Sequence, residues 1–198
     1  MKVLILSNDD IKDADAMPDY LRECGDEPMR YNRKISLDFL RENKIDFIVS
    51  DRHRHLIKEP ILSQYDGRIV NLHPSFLPWC RGYYPNIWSF VDQTPQGVTI
   101  HYIDEGIDTG DIIVQRKLFF DDNDTLRTSY DKCKQVLDQL FREHWISIRE
   151  CKCPRTKQPK EGTLHYEKHF KKISHLLTKG WDTPIGELPK LLEGVSYE

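Results

Sequence analysis

Short apolar runs alternate with segments of helical periodicity along the amino-terminal third of the chain, and this alternation constrains the fold more tightly than any other feature. Lys2 to Leu6 is an apolar run bounded by turn formers and reads as a buried strand. Asp13 to Cys24 then reads as a helix closed by Gly25, Pro28 to Tyr31 as a weak strand, and Ser36 as the N-cap of a helix carrying Leu37, Phe39 and Leu40. Asp46 to Val49 supplies another strand, residues around Leu56 to Tyr65 another helix with Pro60 near its start, and Arg68 to Leu72 the strand after it. Strands that are apolar nearly throughout are those buried on both faces. The expectation is therefore an α/β fold, doubly wound, with a mostly parallel sheet whose ligands sit beyond the carboxyl ends of the strands.

The stretch from His73 to Pro85 is rich in Pro, Gly and aromatic residues and is expected to lack regular structure, although it leaves a strand's carboxyl end directly. Asn86 to Asp92 reads as a short helix. Over Gly97 to Ile103, Val98, Ile100 and Tyr102 alternate with Thr99, His101 and Ile103, and Ile112 to Phe120 is a second extended run; the two are expected as a hairpin at one sheet edge. Asp124 is expected to cap a long helix whose stripe of Leu126, Tyr130, Cys133, Leu137, Leu140, His144 and Ile148 packs on the sheet. Lys152 to Thr163 reads as a polar loop, and Tyr166 to Lys179 as a basic amphipathic helix ended by Gly180. With 198 residues and 38% hydrophobic content, the chain can bury one sizeable core. Residues 1–150 are expected to form one domain, with residues 151–198 a loop and helix extension packed on it.

Charge narrows the partners. The 29 basic and 32 acidic residues leave a net charge of -3, which supplies no broad basic field for a nucleic acid. The opening apolar run is too short for a signal peptide or a membrane span before Asn8, Asp9 and Asp10, so a cytoplasmic protein with no membrane partner is expected. Five scattered cysteines argue for reduced thiols rather than a disulfide framework. Cys151-x-Cys153 with His165 and His169 imitates a zinc finger, the two histidines expected on one helical face, but one intervening residue is too tight for the usual knuckle and no metal is expected.

Chemistry is concentrated in two segments. Asn71, His73, Pro74 and Ser75 stand at a strand end, with Leu77, Pro78, Arg81 and Gly82 just after; Gly97-Val98-Thr99-Ile100-His101 and then Asp104 through Gly110 follow. Nucleophilic attack on a carbonyl carbon creates a tetrahedral species with a negative oxygen, which needs a fixed donor, and Asn71 can supply one. A proton must also leave an attacking nucleophile, which a group titrating near neutrality can carry, and His73 is such a group. Residues i and i+2 of a strand share a side, so Asn71 and His73 face one centre if the strand extends that far. Asp108, as a carboxylate beside imidazole, would raise the histidine's pKa, orient it and position a relay water.

In these segments, over about Asp46 to Leu118, the sequence resembles the 10-formyltetrahydrofolate-dependent formyltransferase family, and most of all bacterial sugar N-formyltransferases. The resemblance implies a Rossmann-like formyltransferase fold, 10-formyltetrahydrofolate as formyl donor, and Asn71, His73 and Asp108 as catalytic residues. It places the pterin between Arg54, His55, Leu56 and Ile57 on one side and the loop of Asp104, Glu105, Gly106 and Ile107 on the other. It brings Trp79, Arg81, Gly82, Tyr83 and Tyr84 to the amine substrate, where an arginine among aromatic rings suits a base, sugar or phosphate.

Ser7, Asn8, Asp9 and Asp10 stand where family members with a phosphorylated ribonucleotide substrate carry a Gly-rich turn, and two carboxylates there would repel phosphate. Only 80 residues follow Leu118 and they read as helices and loop, without the barrel that grips tRNA. The acceptor expected is thus a nucleotide-linked amino sugar, dTDP- or otherwise NDP-linked, with a second copy of the chain as the one macromolecular partner the reading leaves open. The rival readings are a formyltetrahydrofolate hydrolase, a formyltransferase acting on another small amine, and a folate-binding relative without turnover.

Overall fold

A computed structural model of the protein describes residues 1–8 and 16–196. Its elements are β1 (Lys2–Leu6), α1 (Met17–Glu23), β2 (Glu27–Tyr31), α2 (Leu37–Glu42), β3 (Phe47–Asp51), α3 (Ile61–Gln64), β4 (Ile69–His73), β5 (Arg81–Gly82), α4 (Pro85–Val91), β6 (Gly97–Tyr102), β7 (Ile112–Lys117), α5 (Leu126–Arg149), β8 (Leu164–His165), α6 (Glu167–Ile173) and, after three short 3-10 turns, α7 (Leu188–Leu191). The main sheet runs β2-β1-β3-β4-β6-β7, and β1 pairs in parallel with both β2 and β3, as β3 does with β4. At the far edge, Tyr102 N–H bonds to Asp111 O and Leu118 N–H to Gln96 O, the falling-against-rising order of an antiparallel hairpin. The mostly parallel sheet and the edge hairpin are as expected.

The chain divides into two compact units. The first comprises Met1–His73, Ile100–Val114 and Asp138–Lys157, and holds the four parallel strands. Register explains how both sheet faces are covered: Val3 pairs with Phe47 and Leu4 with Ile48, so the two pairs point to opposite sides. Leu4, Leu6 and Ile48 pack with Leu40 of α2 and Ile61 and Leu62 of α3, while Phe47 meets the indole of Trp145 edge-on at 5.2 Å. Ser36 caps α2 as anticipated, its Oγ accepting from Phe39 N–H at 3.1 Å.

The second unit comprises Pro74–Thr99, Gln115–Leu137 and Gln158–Glu198. Its core gathers Ile87, Leu126, Leu177, Ile185 and Leu188, with a neighbouring cluster of Cys80, Trp88, Ile173 and Leu192. Two-residue strands β5 and β8 pair in parallel. His165 of β8 lies 2.7 Å from Asp92 Oδ2 and stacks on Trp88 at 4.0 Å with 4° between planes.

Several boundaries differ from the sequence reading. The start of the first helix at Asp13 lies outside the described residues, as do Asp9 and Asp10. The helix expected over Leu56 to Tyr65 is one short turn, because Pro60 disfavours helical backbone at Glu59 and becomes the N-cap itself. The stretch after His73 contains a strand, β5, since its backbone finds a partner 83 residues on, beyond any local signal. Thr125 and not Asp124 caps α5: its Oγ1 accepts from Thr128 N–H, whereas Asp124 accepts from Asp121 N–H and Thr128 Oγ1. The buried stripe of α5 includes Ser129, Phe141 and Trp145, while Tyr130 and His144 are only half-buried. The basic helix ends at Ile173, because the chain turns there to bury Leu177, and Gly180 opens a 3-10 turn instead of closing a helix. His165 and His169 do not share a helical face, the former being on β8.

Candidate active site

β4 continues through His73, so Asn71 and His73 point to one side of the sheet at its carboxyl end. On the neighbouring strand β6, His101 is 1% exposed and contributes a third group. The following loop returns Asp108 to the same place, with a left-handed backbone (φ 53) that Asp tolerates better than most residues. That loop is knit by Asp104, whose Oδ1 accepts from Gly106 N–H at 3.1 Å and from Thr109 Oγ1 at 2.6 Å. A side chain on Gly110 would collide with the carbonyl of Tyr102, so the loop can close on the strand only with glycine there.

The four groups form one network. Asn71 Nδ2 lies 3.2 Å from His101 Nε2 and 3.3 Å from Asp108 Oδ1, while Asp108 stands 3.6 Å from His73 Nδ1 and 3.5 Å from His101 Nε2. His101 Nδ1 is 2.7 Å from the Tyr102 carbonyl, an acceptor only, so this nitrogen carries a proton, and in the tautomer with Nε2 bare that nitrogen accepts from the Asn71 amide. One Asn71 N–H is thereby fixed and the other is held loosely by Asp108, which is also too far from His73 for a tight bond. In the sequence His101 stands within the second of the segments that concentrate the chemistry, without a role of its own there, because nothing local ties it to Asn71.

His73, His101 and Asp108 also present ligand atoms within 4.8 Å of one another, a spacing that a metal ion could bridge. A cation there would compete for the groups that a proton transfer needs. Cys151 and Cys153 are free thiols, as are the other three cysteines, and His165 is engaged with Asp92.

Of the other candidates in the first unit, Arg54, His55 and Leu56 are exposed after β3, whereas Ile57 belongs to the core cluster. Asp104, Glu105 and Gly106 are exposed and Ile107 is half-buried. His53, one position before the expected wall, was not singled out: both its ring nitrogens are shut off from solvent and have no hydrogen-bond partner among the described residues. Within the second unit, Arg81 Nη2 and Nε bond to Gln158 Oε1 at 2.8 and 3.2 Å. Gly82 (φ 88) passes so close to the His165 carbonyl that any Cβ would clash. The rings of Tyr83 and Tyr84 meet at 4.5 Å, and Trp79 packs beside Cys80 and Trp88.

The sequence profile described as formyl transferase matches residues 22–144. The chain belongs to this family. A dTDP-4-amino-4,6-dideoxyglucose formyltransferase of Mycobacterium tuberculosis is 36% identical over 112 residues, 56% of this chain and 48% of that protein. The phosphoribosylglycinamide formyltransferase of Bacillus subtilis is 36% identical over 116 residues, 52% of this chain and 55% of that one. The chain thus spans about half the length of these relatives. Among solved structures, the formyltransferase PseJ of Anoxybacillus kamchatkensis, in complex with UDP-4,6-dideoxy-4-formamido-L-AltNAc and tetrahydrofolate, superposes with a TM-score of 0.89 at 42% identity over 96% of this chain and 100% of that one.

Proposed function

We propose that the protein transfers a formyl group from 10-formyltetrahydrofolate to the primary amine of a nucleotide-linked amino sugar. The observation that carries this reading is the convergence of Asn71, His73 and Asp108, with His101 behind them, at the carboxyl end of the sheet. The likeness to PseJ along almost the whole chain, and that protein's UDP-sugar and tetrahydrofolate, support the choice of donor and acceptor.

The donor, when bound, supplies a formyl carbon open to attack by an amine. The residues present suit that chemistry. The Asn71 amide, turning its loosely held N–H from Asp108 to the formyl oxygen, stabilises the negative charge that grows there as the new C–N bond forms. His73, with Nδ1 directed to Asp108, takes the proton from the amine at Nε2 and returns it to the folate nitrogen as the bond from that nitrogen to the formyl carbon breaks. Asp108 orients the imidazole and stabilises it while it is charged. His101 holds the Asn71 side chain in place and acts as a positioning residue. Backbone around Arg54–Ile57 and Asp104–Ile107 for the donor, and Trp79, Arg81, Gly82, Tyr83 and Tyr84 for the acceptor, complete the assignment, within a catalytic domain of residues 1–150 and an extension of residues 151–198.

Tetrahydrofolate release from 10-formyltetrahydrofolate, measured against nucleotide-linked amino sugars, glycinamide ribonucleotide and simple amines, tests the proposal. Turnover that depends on an amino-sugar nucleotide is expected. Formate release at the same rate without any amine would replace transfer by hydrolysis, and turnover with glycinamide ribonucleotide alone would replace the acceptor.

A further inference from the structure

The groups to which proton transfer is assigned also meet the geometric requirements of a metal site. His73, His101 and Asp108 come from two neighbouring strands and one loop of the first unit, and among the described residues no other set of three ligand-bearing groups stands so close. The two histidines are 3% and 1% exposed, whereas the Asp108 side chain is 17% exposed, so an ion reaches the cluster from the carboxylate side. Asp108 faces both rings at once, with Oδ2 3.6 Å from His73 Nδ1 and Oδ1 3.5 Å from His101 Nε2. These separations are too long for tight hydrogen bonds. Two atoms bound to one zinc ion at about 2.0–2.1 Å with tetrahedral angles stand roughly 3.3 Å apart, so a shift of a few tenths of an ångström brings each pair onto a shared metal. The outer contact of His101 is of the kind that fixes a metal ligand: its Nδ1 is held at 2.7 Å by the Tyr102 carbonyl, which turns Nε2 toward the cluster.

We propose that His73, His101 and Asp108 form a binding site for a divalent transition-metal ion of the zinc type, and that the bound ion switches formyl transfer off. The site stands on its geometry alone; the switching rests on the formyl-transfer reading. Two imidazoles and one carboxylate select such an ion over magnesium or calcium, which take oxygen donors. Three protein ligands leave the fourth position of a tetrahedral ion to water. The inhibition follows from which atoms are taken. In transfer, His73 keeps its hydrogen on Nδ1, toward Asp108, and receives the amine's proton at Nε2. A zinc ion on Nδ1 holds the ring in the tautomer with its hydrogen on Nε2, so no lone pair is left for that proton. Asp108, engaged with the ion, is withdrawn from orienting the imidazole. The Asn71 amide, 3.2 Å from His101 Nε2, is displaced as well, and the donor for the formyl oxygen loses its anchor. The set carries no sequence signature, because its members sit on three separate elements. Cys151 and Cys153, which imitate one, belong to no such group among the described residues.

The experiment is a calorimetric titration of Zn²⁺ and a spectroscopic titration of Co²⁺ into tag-free wild-type protein, His101→Phe, and a Cys151→Ser/Cys153→Ser double variant. Transfer by the wild type is then assayed with Zn²⁺ and after a chelator is added. Expected are one ion per chain, at least about tenfold weaker binding by His101→Phe, wild-type affinity in the double serine variant, and a visible Co²⁺ spectrum free of the charge-transfer band that thiolate ligands give. Transfer should fall as the site fills and return when the chelator removes the ion. Absence of binding at about 1 mM metal, a thiolate band, or unchanged affinity in His101→Phe would overturn the site. Should His101→Phe fail to fold, ring 15N shifts of His73 and His101 in the wild type on adding Zn²⁺ decide the matter: both move if the rings ligate the ion and stay put if they do not. Undiminished transfer by fully loaded protein would refute the switching. Metal bound as expected by a protein that transfers formyl to no acceptor would overturn the functional reading and leave the site standing.

Discussion

At the scale of single residues, charge sets what each group of the candidate site is worth. On the proposed mechanism, Asn71 and His73 act on groups that change charge during the reaction, so their value would lie in the transition state more than in ground-state binding. Asn71→Ala is expected to lower kcat about 100- to 1,000-fold with little change in tetrahydrofolate affinity, and His73→Ala to lower it at least as much. Steady-state kinetics beside a binding titration check both, and wild-type turnover in either variant would remove these residues from the mechanism. Outside that network, His53 stays neutral at pH 7, and its lowered pKa makes the fold's stability depend on pH. Its folded pKa of about 4 lies below the ordinary 6.5, so the unfolded chain binds the proton first as pH falls. His53's contribution is therefore complete above about pH 6.5 and is lost progressively between 6.5 and 4, with a slope of at most about 1.4 kcal/mol per pH unit. Urea unfolding across that range should show the slope in the wild type and a flatter profile in His53→Phe; parallel profiles would mean that the ring takes up its proton in the folded state as readily as in the unfolded one.

At the scale of elements, the site depends on how tightly one loop closes on one strand. Gly110 lets the loop that carries Asp108 return against Tyr102, and a methyl group there must displace backbone, not a flexible side chain. Gly110→Ala should cost about 1–3 kcal/mol of stability and, because Asp108 moves with the loop, lower kcat more than it raises the KM for the amine. Differential scanning calorimetry and kinetics on the one variant test both parts, and unchanged kcat would show that Asp108 is placed independently of the loop's closure. Elements also show what could be read beforehand. β1, β3 and β4 were legible because each is a local apolar run, and Asn71 with His73 because two residues on one strand share a side without help from tertiary structure. The β5–β8 pair was not, since its partners lie far apart in sequence and each is too short to carry a periodicity. His101 was visible within a segment that concentrates the chemistry but without a role of its own, because what defines it is a contact with Asn71 30 positions away.

At the scale of the molecule, the proposed catalytic groups gather at the carboxyl ends of the strands, and a second polar network in the first unit closes the amino ends. Asp26, immediately before β2, is buried and receives the Met1 amino nitrogen at 3.0 Å, Trp145 Nε1 at 2.8 Å and Arg149 Nη1 at 2.8 Å. These bonds join the start of β1 and the approach to β2 to the last turns of α5, more than a hundred residues away in sequence. Burial by itself would push the Asp26 carboxyl upward, but the three donors outweigh it and hold the group below its ordinary 3.8. A depressed carboxylate stabilises the fold fully above the unfolded value and loses that contribution as pH falls below it. Asp26→Asn keeps the shape and removes the charge, leaving Arg149 and the Met1 amine without their anion, at a cost of about 3 kcal/mol near pH 7. The stability difference between wild type and variant should shrink as pH falls below 3.8, where the wild-type carboxylate itself takes up a proton. Because this network and the proposed catalytic groups lie on different strands and at opposite ends of the sheet, kcat at a temperature well below the variant's unfolding midpoint should match the wild type. A variant of full stability would show that the network is compensated by hydration in the unfolded chain, and a variant of full stability loss but reduced kcat would show that the two ends of the sheet are mechanically coupled.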